Sequence, residues 1–463
     1  MILFPLQIRK YVFSLGDFSE WSSFFFYLSD AVFLLLCVLW VFREGPLLVS
    51  EARKIFAAKN DPALYAVLFL AALLGSVIAS PSFFLALFQW FHVVELFLFA
   101  WYFKRITQTI GVKILFGFFV FGMTVQAVMG ILQFFMQHDL GLWFLKESEL
   151  GPALAGVAKI AGPSSASMIR AYGLFPHPNI FAFFLTVAIF LLLYLYLEKN
   201  IAHPGLSPNA LWQKNTVLFC ISGAVLWFAL ILTFSRVALV GCVVFLSAFF
   251  VIVASRKHLK KAHSKTLVLA AVFLALCFII PATFYRNELL HRLDVSSKEQ
   301  SVQLRSYYTE VAETYVAARP LLGVGVGHFV ARYKEAESPL VYFSRLLPPE
   351  KAKVLVGDGM SAGWIYKPVH NLYLLIASEA GVVGLGIMVA GIVCAIGVYI
   401  KKRHSADNFG APEEEIFYHI ARTMALFLFL LLLFHGSFDH FFWTSQQGRM
   451  AAGFILGVFS RYI

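Results

Sequence analysis

Apolar runs long enough to cross a bilayer recur along this chain, and nothing else in it constrains the fold as strongly. Spanning the hydrocarbon takes about 20 apolar residues as a helix, because the backbone must satisfy its own polar groups there. Runs of this kind read at 23–42, 62–80, 82–103, 112–137, 179–197, 215–234, 236–254, 266–284, 371–400, 416–435 and 446–460. With 60% hydrophobic and only 14% charged residues in 463, the chain carries more apolar surface than one water-soluble core hides. The ten-residue alternation of outer-membrane barrels does not recur. The expectation is an all-α, polytopic membrane protein of about 11–12 transmembrane helices. The opening 'MILFPLQIRKYVFSLGDFSEW' lacks the order of a signal peptide and reads as a short interfacial helix retained in the mature protein.

Lys and Arg collect in cytoplasmic loops. The link 'SRKHLKKAHSK' (255–265) holds five basic residues and no acid, and 'KKR' opens another at 401–403. Both are expected to face the cytoplasm, which puts 138–178, 285–369 and 435–445 outside. An odd number of spans leaves the N-terminus outside as well, against the pull of Arg9 and Lys10. The chain thus divides into N-terminal membrane helices (1–137), an external loop (138–178), membrane helices (179–284), a large external loop (285–369) and C-terminal membrane helices (370–463). The net charge of +11 lies largely in the cytoplasmic links, where topology accounts for it, so no nucleic-acid partner is implied. The five cysteines fall inside spans without CxxC spacing and read as packed apolar residues.

The large external loop is read as folded. In 'SVQLRSYYTEVAETYVAARP', Leu304, Tyr307, Tyr308, Val311, Tyr315 and Ala318 recur at helical spacing before Pro320. The following 'GVGVGHF' does not join a strand to a helix in a βαβ unit, so it reads as a tight turn rather than a dinucleotide loop.

Three arginines are placed on the external face near one depth: Arg170 ahead of a span, Arg236 at the start of another, and Arg305 on the external helix. A single arginine at a membrane edge serves equally as a snorkelling anchor. Three on one face, beside aromatics, shift the weight toward an anion, and the planar guanidinium fork matches a diphosphate.

The order of 'RAYGLFPHPNIFA', 'TFSRVALV', 'RSYYTEVAETYVAARPLLGVGVGHF', 'HNLYLLIASEAGVVGLG' and 'SFDHFFWTSQQG' resembles the bacterial O-antigen ligase and polymerase superfamily, membrane glycosyltransferases of the GT-C type. The resemblance runs from about residue 165 to 447; the N-terminal third is similar only in being hydrophobic. It implies a metal-independent, inverting transfer of a glycan from undecaprenyl (polyprenyl) diphosphate to an acceptor hydroxyl, outside the inner membrane on its periplasmic side. No cofactor is implied, and the partners are the lipid-linked donor, membrane lipids and a glycan, lipid or protein acceptor. The acceptor is the lipid A core in ligases, another carrier-linked glycan in polymerases, and a protein serine in related oligosaccharyltransferases. By resemblance His370 is the base, and Arg170, Arg236 and Arg305 bind the diphosphate.

Each residue also has a plainer reading. His370 serves equally as a cap or interfacial anchor, and Asn371 as a helix start. Glu379 lies nine residues on, half a turn round a straight helix from His370, so it bonds elsewhere in the bundle or marks a break before 'AGVVGLG'. His177 sits in a rigid turn between two prolines. His435 and Asp439, with His440 beside them, have helical ligand spacing, but Gly436 interrupts it and no further ligand follows, so they read as a site wall rather than a metal centre. Asp30 has no role assigned to it. A reading from another class is a transporter of a lipid-linked substrate, against which stands the lack of an internal repeat.

Overall fold

Each of the eleven apolar runs contains one helix. The computed structural model describes residues 8–14, 20–21, 23–57, 61–161, 167–201, 211–255, 264–293, 300–333, 336, 338–348, 350–352, 366–402 and 412–463. In chain order the helices at the runs are α1 (Leu28–Ala57), α2 (Pro62–Ile78), α3 (Phe83–Thr109), α4 (Val112–Met136), α5 (Pro178–Ile201), α6 (Leu211–Leu232), α7 (Arg236–Ala254) and α8 (Ser264–Phe284). After the external segment come α12 (Leu372–Lys402), α13 (Pro412–Gly436) and α15 (Gln446–Ser460). Eight of these are long and apolar enough to cross a membrane, α2 and the Thr216–Leu232 part of α6 being shorter apolar helices. The all-α polytopic class holds. Most of the basic link 255–265, and Arg403 of 'KKR', lie outside the described residues.

The N-terminus departs from expectation. Arg9–Ser14 is a strand (β1) paired antiparallel with Ser23–Tyr27 (β2), so the described part of the opening is a hairpin arm and the first helix starts five residues later than the apolar run. The cause lies in the side chains: 'YVF' and 'FFFY' are β-branched and aromatic residues that favour cross-strand pairs, as in the stacking of Phe13 on Phe24 at 4.1 Å between ring centres. A second short pair, β3 (Lys159–Ala161) and β4 (Ser167–Ile169), leads into Arg170.

Helix α5 is the axis of the main core. It is apolar all round and almost wholly buried, as a helix enclosed on every side must be, and α4, α6, α7 and α13 surround it. A second core sits where α2 and α3 meet the 285–369 segment. There Phe69, Leu73 and Val93 receive residues from α10 (Gln300–Ala318) and from the 323–333 turn. Along α10 the packed face is Leu304, Tyr307, Tyr308, Val311 and Tyr315, while Ala318 is exposed. Two shorter helices, α9 (Arg286–Leu293) and α11 (Pro339–Leu346), complete the described part of this segment. All five cysteines are free thiols.

Helix α12 is broken one third of the way along. Gly381 takes φ 71° and ψ −178°, which ends the first piece and frees carbonyls that a continuous helix would bond. The turn that follows α10 supplies two donors and one acceptor. Val324 N–H donates to the Ser378 carbonyl at 2.8 Å, Gly325 N–H to that of Glu379 at 3.1 Å, and Val382 N–H to that of Pro320 at 2.7 Å. The Ser76 hydroxyl adds a bond to the Glu379 carbonyl at 2.8 Å. The approach is so close that a Cβ on Gly323 or on Gly381 would strike the other segment's backbone.

Candidate functional site

The end of the bundle where α12 begins gathers cations around a histidine. His370 follows 'YKPV', and Asn371 ends the extended stretch: its Oδ1 accepts the Leu374 N–H at 3.0 Å, which makes Asn371 the N-cap of α12. The His370 ring is held between two others, stacked on Tyr308 at 5.7 Å and edge-on to His440 at 5.0 Å. Its Nδ1 is buried without a hydrogen-bond partner among the described residues. Burial holds its pKa well below the usual histidine value, and the neighbouring His440, Arg305, Lys367 and His177 push it the same way. The imidazole is therefore neutral at pH 7.

Arg170 is only 2% exposed, and among the described residues no carboxylate pairs with it. Instead it donates to the Thr233 carbonyl through Nε and to Asn179 Oδ1 through Nη2 at 2.9 Å. Burial pushes its pKa down to about 9, with Arg292, Arg236 and Arg305 adding repulsion. Arg236 opens α7 and is partly buried, while Arg305 is exposed on α10, one turn before Tyr308. The structure thus brings Arg236 and Arg305 each within electrostatic reach of Arg170, and Arg305 within reach of His370.

His177 accepts the Asn179 N–H on Nδ1 at 3.2 Å in the turn that begins α5. Burial keeps it neutral, and Arg170, Lys367, Arg305 and His440 act in the same sense. Asp439 accepts the His440 N–H at 2.8 Å. His440 in turn shares a proton with the Thr444 hydroxyl at 2.7 Å, and burial pushes its pKa down to about 4. His435 faces away from this cluster, against Phe183.

Glu379 lies beneath the site and is buried. Its carboxylate accepts the Gly327 N–H at 2.9 Å, the Phe329 N–H at 3.1 Å and the Trp443 indole N–H at 2.8 Å. Trp443 belongs to α14 (Phe441–Thr444), just after His440. One side chain therefore ties the turn after α10, which carries Arg305, to the helix that starts after His370 and to the turn that carries His440. Both alternatives for Glu379 hold together: the helix breaks, and the acid bonds far from His370.

Sequence reasoning read His440 as part of a site wall and did not single out Tyr308, Lys367 or Arg292 for this cluster. For Tyr308 a signal existed, since it lies one helical turn from Arg305. Asp30 also gains an explanation. It accepts the Tyr27 N–H at 2.9 Å and a Gln446 side-chain N–H, and the same amide reaches Glu95 at 3.2 Å, which ties α1, α3 and α15 together. With His92 these two acids are the described side chains whose ligand atoms come within 4.8 Å, near Arg449. That grouping is across helices, out of reach of any sequence spacing.

Residues 221–389 match the family described as O-antigen ligase. The resemblance to that superfamily holds over this stretch. The O-antigen ligase match takes in Arg236, Arg305, His370 and Glu379 and stops short of Arg170, His177 and the 437–445 turn. It supports a membrane glycosyltransferase of the O-antigen ligase or polymerase type. No curated protein matches the chain.

Proposed function

We propose that the protein transfers a glycan from a polyprenyl diphosphate carrier to an acceptor hydroxyl at the external face of the cytoplasmic membrane, as an O-antigen ligase-like enzyme. The observation that carries this reading is the buried Arg170, set among other arginines without a carboxylate of its own and close to neutral histidines. A desolvated group of like charges is costly until an anion enters it. A diphosphate meets that need, since guanidinium forks bond its oxygens in pairs.

The chemistry then divides between the two kinds of residue. His370 takes the proton from the acceptor hydroxyl, whose oxygen forms a bond to the anomeric carbon. The bond from that carbon to the diphosphate oxygen breaks, and its electron pair leaves with the carrier. Arg170, Arg236 and Arg305 stabilise the negative charge that grows there. Direct attack inverts the anomeric carbon, and the proton on His370 passes to water. No step requires a metal. His177, Asp439 and Asn371 shape the site: the first two fix the turns beside it, and the third caps the helix behind the base.

A broken helix is also a device of transporters, where freed carbonyls coordinate the cargo. In α12 those carbonyls are taken by Val324 and Gly325, which favours transfer over transport. The test is reconstitution with a polyprenyl diphosphate glycan and lipid A core, carrier-linked glycan or protein acceptors, without nucleotide or metal. His370→Ala is expected to lower release of polyprenyl diphosphate by about 10²–10⁴-fold, and Arg236→Ala by about 10²-fold. Full transfer by both folded variants would refute the assignment. Movement of lipid across vesicles without transfer would replace it with the transporter.

A further inference from the structure

At the opposite end of α12 from His370 lies a different opening. A groove of about 990 Å³ runs between α2, α3, α12, α13 and α15 and reaches the end of α1. Its walls are apolar, among them Phe69, Met388, Phe429 and Phe459, and at the external end it finishes against Tyr373 and Trp443. At the other end it is bordered by Lys54, Lys104 and Lys402. Lys54 lies in the last turn of α1, Lys402 ends α12 within 'KKR', and Lys104 lies on α3 five residues before its end.

Among the described residues that line this end, Lys54, Lys104, Arg105 and Lys402 outnumber the acids Glu51 and Asp61. Glu51 bonds Arg105 and the Trp101 indole, and Asp61 accepts the Ala63 N–H at 2.9 Å as the cap of α2. Glu44, the next acid along α1, also bonds Arg105. The groove is therefore long and apolar with a net positive mouth on one side of the membrane.

We infer that this groove seats the acyl chains of an anionic glycerophospholipid, with the phosphate at Lys54, Lys104 and Lys402. Its volume is at the upper end of ligand pockets, and apolar walls match hydrocarbon. Basic pockets between membrane helices on the cytoplasmic side attract anionic head groups in the same way. The carrier lipid is the poorer occupant. Its diphosphate belongs with the arginines at the external end, so its chain would fill the groove while placing no anion at the lysines.

The experiment uses the full chain in nanodiscs of equimolar phosphatidylglycerol and phosphatidylcholine with matched acyl chains, followed by mild extraction and native mass spectrometry of retained lipid. Phosphatidylglycerol is expected in excess. Changing any one of the lysines to Gln reduces that excess about fivefold, and the triple variant loses it. Val67 lines the groove and is 36% exposed, which leaves room for a larger side chain; Val67→Trp is expected to lower retention of both lipids. Equal retention of the two lipids by the unmodified protein would overturn the inference. So would an undiminished excess in a folded triple variant, or displacement of the phospholipid by added polyprenyl diphosphate. Transfer is not measured in any arm, so a failure here leaves the reaction assigned to His370 unaffected.

Discussion

Where α12 begins, arginines predominate, with Arg236, Arg292 and Arg305 acting on the buried Arg170 and Arg305 and Lys367 on His370; where it closes, Lys54, Lys104 and Lys402 outnumber Arg105 at the mouth of an apolar groove. The difference follows from the two head groups. A guanidinium keeps its charge when desolvated and presents a planar fork, so it suits a site that must hold an anion in one orientation while bonds change. An ammonium is a compact, strongly hydrated point charge on a flexible stem, suited to attracting a head group at a wet edge. The proposed transfer calls for the first kind of cation and the proposed lipid seat for the second.

The sharpest way to break this contrast is to exchange the cation at the reactive end. Arg305→Lys keeps the charge and loses the fork, and is expected to lower kcat by about 10²-fold in a reconstituted transfer assay. If the lysine variant transferred normally, charge alone would suffice and the two ends would be alike in kind.

Next in size is the tie beneath the site. Glu379→Ala leaves the Gly327, Phe329 and Trp443 N–H groups without their acceptor, at a cost of about 2–4 kcal/mol in stability. On the proposed reaction Glu379 acts as a positioning residue, so kcat should fall while KM for the donor changes little, and Glu379→Gln should recover part of both losses. A loss confined to thermal stability, with kcat intact, would reduce Glu379 to a structural role.

The pH response is smaller and follows from burial. His370 stays neutral below the usual histidine range, so the acid limb of kcat/KM is expected below about pH 6.5. Bound diphosphate favours the protonated ring, which moves the limb in kcat upward relative to that in kcat/KM. Stability has the same sign. His177, His370 and His440 are all depressed in the fold. The unfolded chain binds protons below about pH 6.5 that the folded one refuses, so stability is full above that pH and falls as the solution becomes more acid. A thermal melt series from pH 7.5 to 5 measures it. The smallest change is at the cap: Asn371→Ala should cost about 1 kcal/mol and Asn371→Asp should restore it.

Much of the bundle was legible because membrane helices announce themselves by length and apolarity, and all eleven runs hold helices. The hairpin was not, since two short aromatic strands have no period long enough to separate from an interfacial helix. At the reactive end, arginines and histidines stand out in sequence because each is costly beside a membrane. What joins them does not. The donors to Glu379 lie 50 or more residues away along the chain, and the Asp30, Glu95 and Gln446 tie spans three helices, so no local pattern carries either.

The break at Gly381 has a mechanical consequence. Bilayers differ in thickness, and a long helix adapts to them by tilting. Past Val382, which the Pro320 carbonyl still holds, α12 leaves the turn and can follow the lipid; above Gly381, nine residues are fastened by Val324, Gly325 and the Glu379 carboxylate. The break acts as a universal joint, so His370 keeps its place while the rest of the helix adjusts to the membrane around it.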